Sequence, residues 1–274
     1  MSHPARGEFR ASELPAVAEN ERARSCGAGR PDHGTRQFDK ALAEYQAIVA
    51  DDQFAKAHQI EWERAVRHGL SLAVRVQKSP AAALRIVDNA RTQSSAPEFL
   101  RRNAARWEAA LSKWQAEKVA DSDKTSADTE PALYEEMSRL FTAAKAAQLY
   151  PKDTGANIEY LRASTTAHEL LARFPDSKHA AEAFFIAGSA YDVIGDPILW
   201  PSHERYFEAC VRRAPHSRIA VRCYERFEQS VYIGYSGSGG TFIPEDMQKR
   251  MSELKRIAEP IDTRNASPQP ETQS

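Results

Sequence analysis

Residues 161–244 read LRASTTAHELLARFPDSKHAAEAFFIAGSAYDVIGDPILWPSHERYFEACVRRAPHSRIAVRCYERFEQSVYIGYSGSGGTFIP. Two helical hairpins are written here in one grammar. Each has an amphipathic run that closes on Phe or Ala before Pro, a short polar turn, and a second amphipathic run. Pro175 and Pro215 stand forty positions apart. Around them Pro175-Asp176-Ser177 matches Pro215-His216-Ser217. Ala180 falls on Ala220, Ala183 on Cys223 and Phe184 on Tyr224. A repeated hairpin cannot bury its apolar face alone, so it stacks on its neighbours.

Working outward, the helical period persists. Residues 38–49 carry Phe38, Leu42, Tyr45 and Val49 on one stripe. Residues 53–77 form a long second helix with Ile60, Trp62, Val66, Leu70 and Val74 facing inward. Ser79-Pro80 opens a third, with Ser as N-cap and Pro in the first turn. Ala96-Pro97 opens a fourth, in which Leu100, Ala104, Trp107, Leu111 and Trp114 recur three or four apart. Helices follow over 131–150, 154–174, 178–194, 202–214, 217–232 and 245–258. Trp62, Trp107, Trp114 and Tyr206 fall on apolar stripes and read as core.

The chain has 274 residues, enough for one large core or two small ones. Its 42% hydrophobic and 27% charged content is that of an ordinary globular chain. A net charge of −1 gives no electrostatic case for nucleic acid. No apolar run reaches the ~18 residues of a membrane-spanning helix. Residues 1–36 lack periodicity and read as irregular, followed by an N-terminal helical layer over 37–120. The polar stretch 121–130 is a loop or hinge, 131–259 is the repeat region, and 260–274 is a polar tail.

The residues of the repeat resemble tetratricopeptide repeats. In that pattern a small residue is followed by Tyr, Ala, Phe, Ala and a closing Pro. Gly188, Tyr191, Phe207 and Pro215 stand in the matching order, while His203 and Cys210 replace the two Ala. A few extra residues carrying Ile198, Leu199 and Trp200 separate Gly195 from His203, and the period exceeds the usual ~34. The phrase FPDSKHAAEAFFIAGSAY resembles the variant found in bacterial envelope proteins, including outer-membrane assembly lipoproteins and the periplasmic partner of the Tol-Pal system. The resemblance covers residues 156–232 and implies an all-α, tetratricopeptide-like α-solenoid in the periplasm or envelope. Read as it stands, the N-terminus lacks the apolar core of a signal peptide and points to the cytoplasm. A misplaced start that has lost a leader would reconcile the two.

Candidate chemistry is sparse. Gly234–Gly240 brings closely spaced glycines of the kind that cradle phosphate. No Lys-Ser or Lys-Thr follows and a helix precedes it, so a helix C-cap leading to a flexible connector is the better reading. Cys210 and Cys223 sit almost symmetrically about the Pro215-His216 turn. In an oxidising compartment that placement suits a disulfide; in cytoplasm both are small core residues. Glu61 and His68 share a helix face with His58 nearby, but two turns are about 10 Å of rise, too far for one metal ion. No cofactor or metal site is expected.

Function is therefore expected to be non-catalytic: a groove that binds a protein or peptide, with Tyr191, Trp200, Tyr206 and Tyr224 as contacts. Trp200 suits either a cap of the stack or a partner anchor. The alternatives are an enzyme with a site between the N-terminal helices and the repeats, and a structural subunit that self-assembles.

Overall fold

The computed structural model describes residues 33–120, 129–195 and 202–260. Among them the fold is all-α apart from one two-residue β ladder. The chain divides into two compact units between Ser177 and Lys178. The expected hinge at 121–130 lies outside the described residues for 121–128, and the helices on either side of it belong to the same unit.

The first unit holds α1 (His33–Ala50), α2 (Asp52–Ala57), α3 (Gln59–Ser71), α4 (Pro80–Thr92), α5 (Glu98–Ala120), α6 (Glu130–Ala147) and α7 (Asn157–Arg173). α1 begins inside the stretch expected to be irregular. The single long helix expected over 53–77 is broken instead. Asp51 caps α2 by accepting from the N–H of Gln53 and Phe54, and His58 leaves helical geometry at φ −136°, ψ 56°. The break shifts the phase of α3. Ile60, expected inside, is 64% exposed, while Trp62, Val66 and Leu70 are buried. A π turn, Leu72–Val76, closes α3.

Indole and amide donors fix this core as much as burial does. Trp62 Nε1 and Gln93 Nε2 both donate to the Val49 carbonyl, at 3.1 and 3.2 Å. Each buried aromatic adds about 1.5–3 kcal/mol by leaving water, and the carbonyl bonds keep its polar edge satisfied. The loop between α6 and α7 is clamped by α5. Arg106 Nη1 donates to both Asp153 carboxylate oxygens, at 2.9 and 3.0 Å. Trp107 Nε1 donates to the Thr154 carbonyl and Asn103 to the Thr154 hydroxyl. Gly155 is required by this close approach: a Cβ there would lie 1.7 Å from Arg106 Nη1.

The second unit holds α8 (Ala180–Ile194), α9 (Ser202–Arg213), α10 (Arg218–Tyr235), the strands β1 (Ser236–Gly237) and β2 (Gly240–Thr241), and α11 (Glu245–Ala258). Each helix packs on the next and on the next but one. The α8–α9 contact is tight because Gly188 has no side chain: a Cβ would meet the Phe207 ring at 2.8 Å. α9 and α10 run side by side in three layers. Cys210 and Cys223 are disulfide-bonded, Phe207 and Phe227 are fully buried, and His203 and Glu204 meet Ser230. The turn after α9 is held to the end of α11. The His216 N–H donates to the Ile257 carbonyl, and Nδ1 lies 2.7 Å from the Glu259 carbonyl.

Gly234–Gly240 does not form the expected flexible connector. α10 runs on through Gly234 to Tyr235, and the remaining residues fold into a hairpin with Ser236 opposite Thr241 and Gly237 opposite Gly240. Gly240 adopts φ +105°, which the hairpin turn requires and side-chain-bearing residues rarely reach.

Candidate functional site

The chemistry-bearing side chains of the first unit hold one another. His168, buried in α7, accepts at Nδ1 from Arg75 at 3.2 Å. Burial, with the Arg75 charge second, pulls its pKa down to about 3, so it stays neutral at physiological pH. Arg162 donates to Glu117 at 3.0 Å and reaches Glu136 at 3.5 Å, with its guanidinium 4.8 Å from the centre of the Trp114 ring. Arg139 closes the same network through Glu136 and Glu117. These contacts tie α5, α6 and α7 together. Burial raises the pKa of Glu159 against the pull of Arg162, Arg106 and Lys113. Asp153 is lowered instead: burial opposes its charge, but the N–H groups of Leu149 and Gly155 and the Arg106 guanidinium overcome it.

The suggestive histidines of the sequence make other contacts. His58 packs on Phe54 and His68 stacks on Tyr45. Among the described residues no group of His, Cys, Asp and Glu could hold a metal ion.

The second unit contains a serine, a histidine and two carboxylates in contact. Ser230 Oγ donates to Glu204 Oε1 at 2.9 Å and lies 2.6 Å from His203 Nε2. Asp192 Oδ1 is 3.9 Å from that same nitrogen, and Asp192 also binds Arg226. With the serine proton given to Glu204, the hydrogen between Ser230 and His203 is carried by Nε2. Asp192 approaches His203 from that same Nε2 side. His203, Glu204 and Ser230 are all buried.

The aromatic side chains expected as partner contacts are mostly internal. Tyr206 is 5% and Tyr224 7% exposed. Tyr191 is half-buried and stacks on Tyr206 with centroids 5.3 Å apart. The Tyr224 hydroxyl donates to Glu228 at 2.7 Å. Burial first, and Glu228 second, raise its pKa. Trp200 lies outside the described residues. Cys210 and Cys223 are joined by a disulfide across α9 and α10.

Exposed apolar surface in the second unit gathers elsewhere. Tyr232, Ile233 and Phe242 are 48%, 59% and 81% exposed. The Phe242 N–H donates to the Tyr235 carbonyl at 3.1 Å, which places Phe242 across the hairpin root from the end of α10. Tyr232 and Ile233 precede Tyr235 by less than a turn. Tyr232 and Ile233 at the end of α10 and Phe242 just past β2 are exposed apolar residues that flank the glycine hairpin, here called the knuckle. Its sequence signal is an apolar run, Val231-Tyr232-Ile233, that continues past the inward stripe and resumes as Phe242-Ile243 after the glycines.

No family model, curated protein or solved structure matches this chain.

Proposed function

We propose that this chain is a non-catalytic, tetratricopeptide-like binding scaffold of the bacterial envelope that engages a protein through the knuckle at Tyr232, Ile233 and Phe242. The observation that carries the reading is the exposure of those apolar side chains on either side of one hydrogen-bonded hairpin, Tyr232 and Ile233 at the end of α10 and Phe242 just past β2. Clustered exposed apolar surface marks interaction sites, whereas scattered exposure does not. The buried Ser230–His203–Glu204 contact, with its proton directed away from histidine, is consistent with a structural rather than catalytic use of these groups.

A solenoid is supported by the packing of each helix of the second unit on its next and next-but-one neighbours. It is supported further by Gly188 and Tyr191 meeting Phe207 and Tyr206 as the repeat pattern requires. An oxidising compartment is supported by the bond between Cys210 and Cys223. No described helix is long and apolar enough to cross a membrane.

The test is comparative capture. Full-length protein and the Ile233→Ser/Phe242→Ser variant are used as bait in extracts of the source organism, and each captured protein is then purified and titrated against both. The reading expects direct binding that the variant loses. Equal binding by the two baits overturns it.

A further inference from the structure

We draw no further inference here: the strongest candidate, the exposed apolar surface of Tyr232, Ile233 and Phe242 flanking the glycine hairpin, adjoins a helix whose exposed charges, Arg218, Arg222 and Glu225, are of both signs, and nothing in the structure shows what covers it.

Discussion

His203 Nε2 lies 2.6 Å from Ser230 Oγ, two turns along α9 from the bond between Cys210 and Cys223. Both residues of α9, His203 and Cys210, are therefore answered on α10, one by a hydrogen bond and one by a covalent bond. Phe207 and Phe227, both fully buried, fill the layer between them. The order of a covalent, an apolar and a polar layer fixes how α9 lies along α10. A slip of one turn would bring the Glu204 carboxylate level with the aromatic layer.

Removing the polar layer from one side should be costly. Ser230→Ala leaves His203 Nε2 without its serine partner and removes the donor to Glu204 in a buried setting. The expected loss is about 1–3 kcal/mol. Urea unfolding of Ser230→Ala, His203→Ala and the double variant measures it. The pair should show a coupling of at least about 0.5 kcal/mol. Strict additivity would show that the contact does not form.

The disulfide gives a count and a stability. The chain has 3 cysteines. Denatured without reductant, the protein should expose one titratable thiol, that of Cys26, and with reductant all of them. The bond closes a short loop between positions 13 apart. Its removal in Cys210→Ala/Cys223→Ala should cost about 3 kcal/mol by the chain-entropy estimate. Thiol titration and thermal unfolding check the two halves separately.

Burial of His168 should make the fold acid-sensitive. Its pKa is about 3 in the folded protein against an ordinary 6.5. As pH falls below 6.5 the unfolded chain takes up a proton that the folded chain refuses. The contribution is therefore fully present above pH 6.5 and is lost progressively as pH falls towards 3, by an amount on the order of a few kcal/mol. Replacing the imidazole in His168→Gln should flatten the stability profile across that window. An unchanged slope would assign the acid sensitivity to other groups.

Gly155 offers a contrast between two glycines. Ala at 155 would drive a methyl group into the Arg106 guanidinium and disturb its hold on Asp153. Overpacking of this kind costs about 1–3 kcal/mol, and more if the buried carboxylate loses its partner. Ala at Gly237 meets nothing within 4 Å. That variant should stay within about 0.5 kcal/mol of the parent. Chemical denaturation of both variants decides it.

Much of the architecture was legible because helical period and cap chemistry are local. Ser79 and Ser217 cap α4 and α10 where Ser precedes an apolar stripe, and Trp62, Trp107 and Trp114 lie where their stripes put them. The break at His58 was not legible, since no Pro or Gly marks it and the capping by Asp51 competes with an otherwise continuous pattern. Tyr206 and Tyr224 show a second limit. A helical stripe says that a side chain faces a neighbour, but not whether that neighbour is the chain's own core or a partner. Burial answers for the core. The knuckle was not legible for the converse reason: Tyr235 and Phe242 meet only when the glycines between them fold into a hairpin. Glu204 and Ser230, 26 positions apart, likewise meet only in the packed helix pair.

The scaffold account is tested most directly by light-induced cross-linking in living cells of the source organism. A benzophenone amino acid is placed at position 242 in the full-length chain, and at position 102 as an exposed control in the other unit. The account predicts discrete adducts with one or a few proteins at position 242, none at position 102, and loss of the adducts when Ile233 is replaced by Ser. Adducts equal at both positions, or none at 242, would contradict it.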